Sequence, residues 1–229
     1  MEEQLNSLRN LARLEVPGES SRLETALLIA NFANNAFDHN GDSQSSLSDP
    51  VTILKEAQSG SKFRCVEYSH LAAWLMMAHG IDARTVNVMM KDVETMDYGA
   101  GHVVVEFYEG DRQGWVMVDI QAGVVARYEG VLQSALELRR TLKYANLEDL
   151  KDNTLIEPDG MFGGNYKEWL QPYLYFIDRP KLLKYEYTDD SEPHLILVPE
   201  KGTPPKYFQK IHKLNLEVSS SEAFYRLPS

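Results

Sequence analysis

The chain has 229 residues, 43% of them hydrophobic and 25% charged, with a net charge of −11. That is enough material for one well-buried core and marginal for two, in the proportions of an ordinary globular protein. The negative balance excludes a general nucleic-acid binder and disfavours adhesion to anionic membranes. No apolar run approaches the roughly 20 residues that span a bilayer, and the single cysteine, Cys65, excludes an intramolecular disulfide or a Cys-rich metal site.

Leu5, Leu8, Leu11 and Leu14, at steps of three, predict a short amphipathic helix over 2–14 that ends near Val16-Pro17-Gly18. The opening stretch is acidic and then mixed, unlike a signal peptide. The expectation is a cytoplasmic protein, or an exported one whose leader has been removed. A second helix starts at Ser21, with Glu24 placed to complete a capping box. Leu23, Ala26, Leu27, Ala30 and Ala33 to Ala36 give it a broad core face. Residues 38–50, DHNGDSQSSLSDP, predict a mobile surface loop. Asp49 as cap and Pro50 at the first position then start a helix that ends about residues 58–60.

A helix from Cys65 to His79 follows, with Gly80 as its C′ residue and Leu71, Ala72, Leu75, Met76 and Ala78 as its buried stripe. ARTVNVMM reads as a strand. HVVVEFYEG and QGWVMVDIQ read as two more, joined by a turn at Gly110-Asp111. The expected fold class is α+β, with a central helix packed on an antiparallel sheet. Beyond Gly123, VLQSALELRRTLKYAN predicts a helix, NYKEWLQPYLYFIDRP a segment interrupted by Pro172, and HLILVPE a strand. Pro204-Pro205 forbid regular structure. The chain reads as a single domain over 1–229, with a peripheral C-terminal elaboration over about 124–229. Tyr166, Trp169, Tyr173, Tyr175 and Phe176 form an aromatic cluster, read as core or groove lining, with a ring platform for a ligand as the other role.

Cys65, His102 and Asp119, in that order, are the parts of a cysteine-nucleophile triad. At the first turn of a helix the dipole favours a thiolate, and Arg64 adds positive charge next door. The Cys65 amide also offers one oxyanion donor; the KF segment before it, or an Asn or Gln elsewhere, offers a second. His102, Val104, Glu106 and Tyr108 share one strand face, as do Trp115, Met117 and Asp119. A hairpin centred on Gly110-Asp111 sets His102 opposite Asp119, and a one-residue slip would part them. In this scheme Cys65 attacks, His102 moves the proton and Asp119 holds the imidazole. The same three residues could bind zinc, but zinc explains neither the helix-start placement nor the strand pairing. No cofactor and no metal is expected.

These blocks, GSKFRCVEYSHLAAWLMMAHGIDARTVNVMM, GHVVVEF and WVMVDIQAG, resemble the transglutaminase-like superfamily over about residues 60–123. The resemblance implies a papain-like core with Cys65 starting the central helix, Gly80-Ile81-Asp82-Ala83-Arg84 turning into a strand, and catalytic His102 and Asp119. Val66 and Ile120 stand where family members often have Gly and Pro. Neither removes a chemical group, and both bear on substrate class. The implied function is an enzyme that works on an amide bond through a thioester, as a hydrolase (peptidase or amidase) or an amine acyltransferase. Its partner would be a peptide or protein amide, or a small amide. The alternative is a non-catalytic ligand-binding, peptide-binding or scaffold member of the same superfamily. The oligomeric state is left open.

Other polar residues read as structural. Arg84 is expected in a scaffold salt bridge, Glu67 in compensating the helix start, His70 as structural or exposed, and His79 as a cation at a helix C-terminus. Met76-Met77 and Met89-Met90 read as core filler, and Trp115 as core that could also cover the triad. Gly99-Ala100-Gly101 leave room for a substrate or the cysteine helix. Asp92, Glu94 and Asp97 lack an EF-hand pattern and read as a solvated loop. Arg139-Arg140 and the Lys181 to Lys184 stretch read as solvated helix faces.

Overall fold

The computed structural model describes residues 2–157, 159–181 and 192–227. Helix α1 (Glu2–Ala12) stops short of Leu14, at Arg13 with a left-handed φ of 49°. Helix α2 (Arg22–Asn34) begins in the expected capping box: Ser21 Oγ accepts from the Glu24 N–H at 3.2 Å, and Glu24 accepts from the Ser21 N–H at 2.7 Å. Helix α3 (Pro50–Gln58) is capped by Asp49, which accepts from the Thr52 N–H at 3.0 Å.

Helix α4 (Cys65–Ala78) is followed by Gly80 at φ 75°, a left-handed cap that a side chain would resist. His79 Nδ1 lies 2.8 Å from the Leu75 carbonyl, at the helix end where a basic residue was expected. The helix is buried on nearly every side, beyond the predicted stripe, because α1, α2 and α3 surround it opposite the sheet. Tyr68 and Trp74 join the core along with Leu71, Leu75 and Met76.

Strands β1 (Ala83–Met89), β2 (Gly101–Glu109) and β3 (Gly114–Asp119) form the expected antiparallel meander. The β2–β3 register differs from the sequence expectation by two residues. Val105 faces Val118 and Glu109 faces Gly114, so the loop is the four residues 110–113. A two-residue shift keeps every side chain on its face.

The chain beyond Gly123 departs further from expectation. Strands β4 (Val124–Tyr128) and β5 (Val131–Leu132) come first. The predicted long helix is only α5 (Ala135–Thr141), set by Ser134 and Glu137 as a capping box. Its tail becomes β6 (Asn146–Asp149), which pairs with β7 (Leu155–Ile156). A small hairpin, β8 (Asp159–Met161) and β9 (Gly164–Asn165), leads into α6 (Tyr166–Leu170), and a 3-10 turn over Tyr173–Tyr175 follows Pro172. Then come β10 (Phe176–Pro180), β11 (His194–Leu197), the hairpin β12 (Tyr207–Phe208) and β13 (His212–Lys213), β14 (Leu216–Val218) and α7 (Ser221–Tyr225).

The main sheet runs β14–β11–β10–β1–β2–β3–β4–β6–β7, with β5 beside β4. It is antiparallel except for the β11–β14 pair. Residues 124–229 thus add strands to both sides of the β1–β3 meander and are not peripheral to it. On one face, Val105, Phe107, Val116 and Val118 pack against the N-terminal helices. On the other, Val86, Val88, Val104 and Met117 pack against Leu138, Tyr166 and Phe224 from the C-terminal half. The architecture is α+β, helices on a mostly antiparallel sheet.

Of the basic residues, Arg139 donates to the Tyr175 carbonyl at 3.0 Å, and Arg140 is exposed. Lys181 pairs with Glu217 at 2.7 Å, while residues 182–184 of that basic stretch lie outside the described residues. Glu94 accepts from the Lys206 N–H at 2.8 Å and Asp97 pairs with Lys210, so the acidic loop tethers the C-terminal segment.

A buried network at the far end of the sheet fastens α7. Glu106 accepts from Arg84 at 2.6 Å, the Ala135 N–H at 2.9 Å and the Tyr225 hydroxyl at 3.1 Å. Arg84 and Arg179 both donate to the Phe224 carbonyl, at 2.9 and 3.0 Å. Arg84 also lies 3.9 Å from the Trp115 ring centroid, and Trp115 donates to the Tyr225 carbonyl at 3.0 Å. Burial, and then the neighbouring Arg84, pull the Arg179 pKa down to about 10. Removing one partner of such a pair leaves an uncompensated buried charge. Glu106→Gln is expected to lower stability by about 3–5 kcal/mol, read from urea unfolding, with α7 released first in hydrogen exchange.

Candidate active site

His102 opens β2, Asp119 closes β3, and Cys65 opens α4, so all three stand at one end of the sheet. Ser69, one turn into α4, donates its hydroxyl to the Val103 carbonyl at 2.8 Å and fixes the helix beside His102. His102 Nε2 lies 2.8 Å from Asp119 Oδ2. The observed register sets Asp119 diagonal to His102 rather than opposite it, on the same face. Cys65 and His102 line the same cleft.

Asp119 is fully buried and fully used. Oδ2 also accepts from the Tyr166 hydroxyl at 2.9 Å, and Oδ1 accepts from the Ala122 N–H at 3.1 Å. The turn after it is clamped from α2, where Asn34 donates to the Ile120 carbonyl at 2.7 Å. His102 is 3% exposed. Burial pushes its pKa down, but the Asp119 carboxylate, with a smaller contribution from Cys65, reverses this and holds it at about 10. Burial pushes Asp119 up, and His102, the Ala122 N–H and the Tyr166 hydroxyl together bring it below the ordinary carboxylate value.

The start of α4 is held by Glu67, which accepts from the Arg64 N–H at 3.2 Å and pairs with the Arg64 guanidinium at 2.9 Å. The segment 38–46, expected as a mobile loop, is fastened around this helix start. His39 bridges to Phe63, with the Asn40 N–H donating to the Phe63 carbonyl at 2.7 Å. Ser45 donates to Glu56 at 2.8 Å. The pKa of His39 is lowered by burial and by the charge of His102.

These groups border a cleft of about 810 Å³ that reaches from His39, Cys65, His102 and Trp169 to Asp178 and His194. Trp169 stands edge-on to the His102 ring at 5.0 Å, with Phe162 stacked on it at 4.3 Å. Tyr173 donates to the Gly99 carbonyl at 3.0 Å. Trp115, read as core that could also cover the triad, is core but sits in the distant Arg84 network. Gly101 makes room for Phe208 rather than for the cysteine helix: a Cβ there would stand 2.7 Å from that ring.

Among the described residues, no group of three or more His, Cys, Asp and Glu is arranged to hold a metal ion. Nor is any described helix long and apolar enough to cross a membrane.

The family model for the transglutaminase-like superfamily matches residues 9–120. Over that stretch the chain is similar to the transglutaminase-like superfamily. The match reaches back through α1–α3, beyond the 60–123 stretch that carried the resemblance in sequence. A putative cysteine protease from Cytophaga hutchinsonii is similar in structure, with a TM-score of 0.41 and 20% identity over 51% of this chain and 37% of its own. Calcium-bound LapG from Legionella pneumophila gives 0.36 and 15%, over 52% of this chain and 63% of its own. The chain therefore spans under two thirds of the length of either. No curated protein matches it.

Of the residues that sequence reasoning singled out, His102 and Asp119 are hydrogen-bonded, and Cys65 lines one cleft with His102. The aromatic cluster is core and groove lining, as read, but its contacts with Asp119 and His102 were not foreseen. Tyr166, Trp169 and Tyr173 have helical i, i+3, i+7 spacing, a visible signal that they share a face, but nothing local tells which residues that face meets. His39 gave no signal, because its place depends on a bridge to Phe63.

The pH dependence of stability follows from the shifts. A raised His102 pKa contributes stability that is complete below about 6.5 and is lost as pH rises through about 10. A lowered Asp119 pKa contributes stability present above 3.8 and lost as pH falls through its lower folded value. The stability gap between wild type and His102→Gln is therefore expected to hold steady between about pH 4 and 6.5 and to shrink toward pH 10. Urea unfolding at stepped pH checks it. Tyr166→Phe, which removes one donor to a buried carboxylate, is expected to cost about 1.5–3 kcal/mol in the same measurement.

Proposed function

We propose that this chain is a cysteine-nucleophile acyl-transfer enzyme that acts on an amide bond through a thioester, with Cys65, His102 and Asp119 as its catalytic residues. The observation that carries the proposal is the buried His102–Asp119 hydrogen bond at a cleft that His102 shares with Cys65, the first residue of α4. A structural ion pair would need no thiol beside it and no cleft in front of it.

In the proposed reaction, His102 takes the Cys65 proton and the thiolate attacks the amide carbonyl. Asp119 stabilises the imidazolium and fixes its orientation, and Tyr166 and the Ala122 N–H fix Asp119 in turn. The N–H of Cys65, in the first turn of α4, is the donor proposed for the tetrahedral oxyanion. His102 then protonates the departing amine, and water or a second amine attacks the thioester. Trp169 shields the imidazole from solvent during this sequence. The substrate is a peptide or protein amide, or a small amide.

Alkylation by iodoacetamide tests the pair. At pH 6, wild-type Cys65 is expected to react at least about tenfold faster than Cys65 in His102→Ala. Equal rates in the two proteins would overturn the proposal. Trapping a Cys65 acyl adduct from a panel of glutamine and peptide amides, read by intact mass, then separates hydrolysis from transfer by the effect of added amine.

A further inference from the structure

We propose that the far end of the cleft is a recognition site for a basic side chain of the substrate, held by Asp178 with His194 beside it. This rests on the acyl-transfer proposal for what happens at Cys65, and it names the class of amide that would be presented there.

The sheet itself sets the geometry. Val103, next to His102, faces Asn87 on β1, and Asn87 faces Asp178 on β10. Asp178 is therefore two strand spacings, about 10 Å, from the strand that carries His102. That separation suits a side chain flanking the reacting amide, not the reacting group itself. Cys65, Asn87, Asp178 and His194 all line the one cleft.

Asp178 is 2% exposed, and its two oxygens are treated differently. Oδ2 lies 2.9 Å from His194 Nδ1. Oδ1 is buried and has no hydrogen-bond partner among the described residues. Native proteins rarely leave a buried carboxylate oxygen in that condition, because nothing replaces its lost hydration. Among the described residues, Arg179 donates to the Phe224 and Pro180 carbonyls, and Lys181 pairs with Glu217. Glu192 adds a second negative charge to the cleft lining, which also holds Arg64, paired with Glu67, and the exposed Lys213.

Between this carboxylate and the triad the lining combines Met89 and Phe208 with Asn87, which stands opposite both Val103 and Asp178. A partly apolar passage that ends at a buried acid suits a lysine or arginine side chain, a methylene stem with a cation at its tip. A neutral side chain would leave Oδ1 unpaired, and an acidic one would set like charges together, so the site discriminates by penalty as well as by attraction.

The test uses Cys65→Ala protein, so that no covalent chemistry intervenes. Calorimetry would compare the Nα-acetyl methylamides of lysine, arginine, norleucine and glutamate. The two basic probes are expected to bind at least about tenfold more tightly than norleucine, with no binding of glutamate. Asp178→Asn in the same background is expected to bring lysine and norleucine to equal affinity. Norleucine binding as tightly as lysine, or a lysine preference that survives Asp178→Asn, would overturn the site. Should Asp178→Asn fail to fold, the lysine-to-norleucine ratio in the Cys65→Ala protein decides alone. Because these measurements need no thiol, failure here leaves the alkylation result standing, and failed alkylation leaves this result standing.

Discussion

A carboxylate and an imidazole, both removed from water, set the terms for the rest of this molecule. Asp119 and His102 are tolerable where they are only because each answers the charge of the other, and because Asp119 has two further donors. That requirement fixes the end of β3 against the start of β2. It requires the tight turn held by Asn34, and it recruits Tyr166 from the second half of the chain. The cleft that Cys65 lines thus holds an imidazole whose orientation is already decided. Cys65 and His102 come from different elements, and the Ser69 hydroxyl on the Val103 carbonyl ties the two together.

Much of this was legible in the residues, and the legible parts share a cause. The starts of α2 and α3 and the stop of α4 follow from Ser21 with Glu24, Asp49 with Pro50, and Gly80. These are local devices, complete within four residues of chain. The strand faces of His102 and Asp119 were equally readable, since alternation is a property of the strand alone. The register was not, because it depends on how many residues the 110–113 loop takes, and the sequence leaves two and four both open. The error was an even number, so the faces survived and the contact became diagonal.

Beyond Gly123, local signals and tertiary context part company. Residues 131–146 carry a helical composition, yet two short strands enclose a two-turn helix there, because β5 and β6 join β4 on its opposite sides. Trp115 and Trp169 exchanged roles for a similar reason. Each could cover an imidazole, but Trp115 lies near the opposite end of its strand from Asp119, next to Arg84. The strap over 38–46 reads as polar loop, and only its bridge to Phe63 and its bonds to Glu56 reveal that it is fixed. Long-range partners decided every one of these cases.

The assembly of one sheet from both halves of the chain has a temporal side. Cys65, His102 and Asp119 lie within a stretch that leaves the ribosome well before Tyr166 and Trp169. Until those residues arrive, Asp119 lacks one of its donors and His102 lies open to water, where an ion pair with Asp119 is weak. Contacts of such high sequence separation form late. A nascent chain would thus carry its thiol unactivated, and reactivity at Cys65 would appear only once the second half had closed over the first. The aromatic segment would then act as a built-in delay, sparing a half-made chain, and its neighbours, from the proposed nucleophile.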